Sequence, residues 1–107
     1  MNAAIDCGTN STRLLVADDE GRPLERLMEI TRLGKGVDQS KTLSAESMET
    51  TLDAVARFAT EARGLGVKGL AISATSAARD ASNGKVFLDG VKQRAGVAAE
   101  ILSGDEE

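Results

Sequence analysis

The chain has 107 residues, of which 41% are hydrophobic and 28% charged, with one Pro and one Cys, a composition that suits a single small globular domain. Aromatics make up 2%, and 17 acidic residues against 13 basic ones leave a net charge of −4, which argues against base-stacking platforms and a basic nucleic-acid footprint. The lack of His removes the usual catalytic triads and His-ligated metal sites, one Cys excludes an internal disulfide, and no apolar run approaches the roughly 18 residues of a membrane span.

Met1 leads directly into a strand-like segment with no basic leader, so a cytoplasmic protein is expected. Ala3 to Cys7 reads as a short buried strand, stopped by the turn formers Gly8-Thr9-Asn10-Ser11. Arg13 to Asp18 is a second strand, Asp19 to Pro23 a turn, and Leu24 to about Leu33 a third strand. Its alternation breaks where Leu27 and Met28 are adjacent, which points to a bulge or an edge position. Gly34 to Thr42 reads as a loop.

Ser44 is the N-cap of a helix that ends at Gly64 or Gly66. Leu43 and Met48 are spaced for a hydrophobic staple, Glu46 lies in the first turn, and Met48, Leu52, Val55, Ala59 and Ala62 keep a 3/4 spacing. Val67 to Ser73 is a fourth strand. Ala74 to Asp80 forms one or two helical turns capped by Thr75 or Ser76, and Ser82 or Asn83 caps a further helix over Gly84 to Ala95. Phe87, Leu88, Val91 and Ala95 supply its buried stripe, while Gly90 costs it about 1 kcal/mol of intrinsic propensity relative to Ala. Gly96 is expected just past its end. Val97 to Leu102 is a fifth strand, followed by the acidic tail Ser103 to Glu107.

The order β-β-β-α-β-α-β, with helical crossovers that require parallel neighbours, predicts an α/β domain built on a mixed five-stranded sheet with helices. No helix follows the last strand, so one sheet face is expected to lack cover and the chain to be truncated.

Four segments can carry chemistry. Asp6 to Thr12 sets a carboxylate before a small-residue turn whose N–H groups and hydroxyls can converge on an anion, or it is an ordinary hairpin turn of the same composition. Thr75 to Asp80 follows a strand at the sheet end where ligands of open α/β sheets bind; Arg79 offers bidentate donors for phosphate, or pairs with Asp80. Glu106 and Glu107 place a carboxylate after the last strand, as a general base toward water or as a solvated terminus. Arg32-Leu33-Gly34-Lys35-Gly36 puts two cations beside two glycines, enough for a phosphate contact, or is a connecting loop. Cys7 reads as a small buried residue, not a nucleophile.

Taken together, Ala4 to Leu15, Thr31 to Val37, Ala74 to Asn83 and Leu102 to Glu107 resemble, in order, the motifs of the exopolyphosphatase/guanosine pentaphosphate phosphatase family, over essentially the whole chain. The resemblance implies the first half of an actin-like (ribonuclease H-like) catalytic region. It implies a Mg²⁺-dependent phosphohydrolase that removes terminal phosphate from inorganic polyphosphate or from guanosine pentaphosphate. It also implies site roles: Gly8, Thr9, Asn10 and Ser11 as a phosphate loop, Asp6 reaching the metal through water, Ser76 and Arg79 as phosphate contacts, and Glu107 as the carboxylate that orients or deprotonates the attacking water. The family's second phosphate loop, of the kind Asp-Ile-Gly-Gly-Gly-Ser, has no counterpart in the chain. The expected partner is therefore a second subdomain, and the 107 residues alone are expected to be inactive. A reading of a different class is a noncatalytic half-domain that binds phosphate chains or forms a homodimer through its uncovered sheet face.

Overall fold

The computed structural model describes residues 1–102, apart from the side chains of residues 38, 39, 76 and 77. Three strands come first: β1 (Asn2–Cys7), β2 (Ser11–Ala17) and β3 (Pro23–Ile30). They are followed by α1 (Val37–Ser40), α2 (Ala45–Gly64), β4 (Gly69–Ala74), α3 (Ser76–Asp80), α4 (Gly84–Ala95) and β5 (Ala99–Ile101). The sheet order is β3-β2-β1-β4-β5. β1 and β2, and β2 and β3, pair antiparallel through short turns, while β1, β4 and β5 run parallel across the helical crossovers, as the chain order requires.

The period-2 pattern of β1 and β2 decides which face is buried. Ala3, Ile5, Cys7, Thr12, Leu14 and Val16 lie under the helices, and Ala4, Asp6, Arg13 and Leu15 lie on the opposite face. Helix α2 starts where Ser44 Oγ accepts from the Ser47 N–H at 3.0 Å. It buries Leu52, Val55, Phe58, Ala59 and Ala62, with Leu43 buried and Met48 half-buried beside them. Helix α4 buries Phe87, Val91 and Ala95, keeps Leu88 half-buried, and ends at Gly96 with φ 76°. Gly90 has a packing reason: a Cβ there would come within 2.9 Å of Leu52 Cδ1, so its absence lets α4 approach α2. Arg94 then bridges α4 to Glu49 and Asp53 of α2 at 2.7 Å each.

Of the two expectations for the third strand, the edge position holds, while the Leu27–Met28 adjacency makes no bulge, since both residues pair regularly with Leu14 and Arg13; the irregularity falls at Leu24 instead. β3 is an edge strand, and its pairing with β2 shifts register between Val16 and Ala17, where Leu24 is the extra residue. It stops at Ile30 and does not run on to Leu33. The N–H groups of Thr31 and Arg32 both donate to the Asn10 carbonyl, Arg32 adopts a left-handed backbone with φ 53°, and the chain turns so that Leu33 is fully buried in a loop. The expected loop after Gly34 contains the short helix α1, and β4 and β5 are shorter than read, because Lys68 N–H turns back to the Met1 carbonyl and only Ala99–Ile101 pairs with β4.

Two capping assignments are corrected. Asn83 makes no side-chain cap for α4; its Oδ1 accepts from Leu43 N–H at 2.8 Å and its Nδ2 donates to the Leu43 carbonyl at 2.9 Å, clamping the loop that leads into α2. Thr75 does not cap α3 either, since its hydroxyl has no partner among the described residues. The face opposite the helices is open and carries exposed Leu15, Met28 and Ile30. Among the described residues, no helix is long and apolar enough to cross a membrane.

Candidate functional site

Parallel pairing brings two chain reversals to the same sheet end. Cys7 lies opposite Ala74 across the β1–β4 ladder, and Thr75 N–H donates to the Cys7 carbonyl at 3.2 Å. The Gly8–Ser11 turn and the start of α3 are therefore neighbours, at the carboxyl ends of parallel strands where open α/β sheets bind ligands. β5 delivers Leu102 there too, its N–H donating to the Ala74 carbonyl at 3.0 Å.

The turn is held from behind and open in front. Gly8 N–H donates to the Ser11 carbonyl at 2.9 Å, and a Cβ on Gly8 would press to 3.0 Å from that oxygen. The Thr9 carbonyl accepts from Gly34 N–H at 2.9 Å, and the Asn10 carbonyl accepts from Thr31 and Arg32 at 3.1 and 3.0 Å. Underneath, Thr12 and Thr31 share a buried hydroxyl–hydroxyl hydrogen bond of 2.8 Å. The carbonyls of Thr9 and Asn10 are thus turned into the protein, while their N–H groups donate to nothing among the described residues. Exposed, unspent N–H groups in a tight turn suit an anion.

Thr75 supplies the sharpest feature. Its Oγ1 is buried and without a hydrogen-bond partner among the described residues, a state that costs about 1–3 kcal/mol unless something binds it. Arg79 follows on α3, half exposed, its Nε donating to Asp80 Oδ1 at 2.9 Å; the guanidinium holds the Asp80 carboxyl below its ordinary range. Asp6 sits one residue before the buried Cys7, on the open sheet face, and accepts from Ser73 Oγ at 3.3 Å. Burial, reinforced by the Asp6 charge, pushes the Cys7 thiol up to about 12, so it stays a neutral thiol and not a nucleophile.

The structure thus brings Gly8, Thr9, Asn10 and Ser11 into one turn and sets Thr75 beside it, with Arg79 about one helical turn further along α3. Asp6 stands on the adjoining sheet face. The Ser76 side chain, Glu106 and Glu107 lie outside the described residues. No cluster of three metal-ligating side chains occurs among the described residues. The donor set fits a Mg²⁺ held mainly by water and phosphate oxygens, since that ion commonly takes only one or two protein carboxylates, and Asp6 supplies one. Sequence reasoning missed the Asn83 clamp, the Thr12–Thr31 pair and the orphaned Thr75 hydroxyl, because each is defined by a partner, present or missing, many residues away.

The sequence profile of the Ppx/GppA phosphatase family matches residues 14–107. Exopolyphosphatase 2 of Mycobacterium tuberculosis is 38% identical over 98% of the chain and 37% of its own length. A guanosine-5'-triphosphate,3'-diphosphate pyrophosphatase of Vibrio parahaemolyticus is 33% identical over 100% of the chain and 22% of its own length. The crystal structure of the Aquifex aeolicus Ppx/GppA family member superposes with a TM-score of 0.89 at 28% identity, covering 96% of this chain and 35% of that one. The fold is accordingly the actin-like one expected, and the chain spans well under half the length of these relatives.

Proposed function

Because the chain belongs to the Ppx/GppA phosphatase family, we propose that it supplies one wall of a phosphohydrolase cleft, and that the parent protein removes terminal phosphate from inorganic polyphosphate. The observation that carries this reading is the orphaned Thr75 hydroxyl beside a turn with unspent N–H groups, at the sheet end reached by β1, β4 and β5. A phosphate group can accept from the turn's N–H groups, and from the buried Thr75 hydroxyl once the site opens enough to admit an oxygen. Guanosine pentaphosphate is the second substrate reading, supported by the Vibrio relative. A noncatalytic phosphate-binding or self-associating half-domain is not favoured, because the relatives are named as hydrolases.

In this mechanism Gly8 to Ser11 bind the terminal phosphate through backbone N–H groups and hydroxyls. Ser76 and Arg79 bind the same group from α3, Arg79 exchanging some of its hold on Asp80 for phosphate oxygens. Asp6 would hold Mg²⁺ through water, and the ion would supply charge neutralisation and polarisation of the phosphoryl group. Glu107 orients and deprotonates the attacking water. The remaining wall comes from a second subdomain outside these 107 residues. A cytoplasmic setting belongs to the same proposal.

The test is phosphate release from long polyphosphate with Mg²⁺, run on this chain and on the parent that extends past Glu107. Release by the parent alone is expected. In the parent, Glu107→Gln lowers kcat by about 10²–10⁴ with KM little changed, the range a general base contributes, whereas Arg79→Ala also raises KM. If Glu106→Gln abolishes turnover and Glu107→Gln does not, the base is the neighbouring residue. A parent inert on polyphosphate, guanosine pentaphosphate and ATP overturns the hydrolase reading.

A further inference from the structure

β3 leaves the sheet at Ile30, opposite Ser11, so Thr31 to Gly36 emerges at the same end as the Gly8–Ser11 turn. Arg32 is held in its left-handed conformation by its N–H bond to the Asn10 carbonyl on one side and by Lys35 N–H donating to its own carbonyl at 3.0 Å on the other. Gly34 fits against the same turn: a Cβ there would meet Thr9 Cγ2 at 2.3 Å. The segment is therefore a braced continuation of the turn. Beyond it, a cleft of about 650 Å³ opens toward the start of α2, lined by Arg32, Lys35, Thr42, Thr50 and one carboxylate, Glu46, among others. Its far rim is fixed by the Asn83 clamp on Leu43, which ties it to the loop following Arg79. Arg32 and Lys35 are exposed and pair with no carboxylate among the described residues. Most other arginines of the chain are engaged by acids: Arg22, Arg57, Arg79 and Arg94 all form ion pairs.

We propose that this cleft takes the inner phosphates of a chain whose terminal phosphate lies at Gly8–Ser11, so that Arg32 and Lys35 set preference for longer chains. The inference rests on the phosphate reading above and extends it to residues that reading does not use. The ligand chemistry is a phosphate group farther from the terminal one than tripolyphosphate reaches, which an inner unit of long-chain polyphosphate or the 3′-diphosphate of guanosine pentaphosphate can provide. Glu46 opposes binding and sets the sign of one control.

The experiment is calorimetric titration of tripolyphosphate, long-chain polyphosphate and guanosine pentaphosphate into the 107-residue chain at fixed salt. Four proteins are compared: unaltered, R32Q/K35Q, E46Q, and K85Q/K92Q, which removes the same charge from α4. R32Q/K35Q is expected to weaken long-chain polyphosphate about tenfold, the loss of two exposed charge contacts, and to change tripolyphosphate less than about twofold. E46Q should tighten the long chain, and K85Q/K92Q should leave it nearly unchanged. A parallel loss of guanosine pentaphosphate binding assigns the cleft to linked phosphates of either source; its retention assigns it to polyphosphate. Equal losses for long and short chains, or a loss matched by K85Q/K92Q, overturn the proposal. Tripolyphosphate binding with no advantage for the long chain overturns it alone, whereas no binding of any of the three also removes the phosphate reading of this chain.

Discussion

Thr75 couples stability and binding in one atom. Its backbone is fully engaged, N–H to the Cys7 carbonyl and carbonyl to Ala78 N–H, yet its hydroxyl is buried without a partner. Thr75→Val keeps the shape and removes the unsatisfied group, so the isolated chain should gain about 1 kcal/mol in urea unfolding while its affinity for tripolyphosphate falls. A variant that loses stability and binds normally would show that the hydroxyl has a partner of its own. Thr75 was legible in the sequence as a small polar residue after a strand, but its reading as a helix cap failed. A cap and an orphan differ only in the third dimension. Asn83 makes the same point in reverse: its position before α4 resembles a cap, and its two hydrogen bonds go instead to Leu43, forty residues earlier.

At the scale of elements, two glycines that look alike in the sequence of α4 do different jobs. A Cβ on Gly84 would lie 1.8 Å from the Ala78 carbonyl oxygen, a backbone atom that can yield only by moving the α3–α4 connection. A Cβ on Gly90 would meet the tip of Leu52, which can rotate. Gly84→Ala should therefore cost about 2–3 kcal/mol, in the usual range of overpacking, whereas Gly90→Ala stays within about 1 kcal/mol of neutral because gained helix propensity offsets repacking. Equilibrium denaturation of the two variants decides it, and similar midpoints would contradict the close approach at Gly84. The helices themselves were readable because α2 and α4 carry apolar stripes and glycine stop signals locally, and α2 also its Ser44 cap. Short elements were not: α1 and the truncation of β3 at Ile30 depend on where Asn10 places its carbonyl.

Across the whole molecule, the end of the sheet far from the candidate site is fastened by charge. The Asp19 carboxylate accepts from the N-terminal ammonium and from Lys68 Nζ, the latter at 2.9 Å, and so joins the start of β1, the β2–β3 turn and the segment before β4. Its hydrogen bond to the ammonium, and then that to Lys68, lower its pKa from 3.8 to about 2. A depressed carboxylate stabilises the fold above its unfolded pKa, and that contribution disappears as pH falls from about 4 through about 2. Asp19→Asn should thus lower Tm at pH 6, by an amount that shrinks in high salt, and the gap should narrow as pH falls below about 4 and close only below the folded pKa, near pH 1. A gap in Tm that is as wide at pH 1 as at pH 6 would mean that Asp19 acts through something other than its charge.

Local pattern alone was enough for the α/β class, the strand order along the chain, both long helices and the Gly8–Ser11 turn, because periodicity, caps and turn formers act over a few residues. The helical crossovers, which require parallel neighbours, already put the Gly8–Ser11 turn and Thr75 at one sheet end, as the β1–β4 pairing bears out. That the Arg32 segment joins them there was settled in three dimensions, by hydrogen bonds from Thr31, Arg32 and Gly34 to the Thr9 and Asn10 carbonyls, partners far apart in the chain that no local pattern encodes.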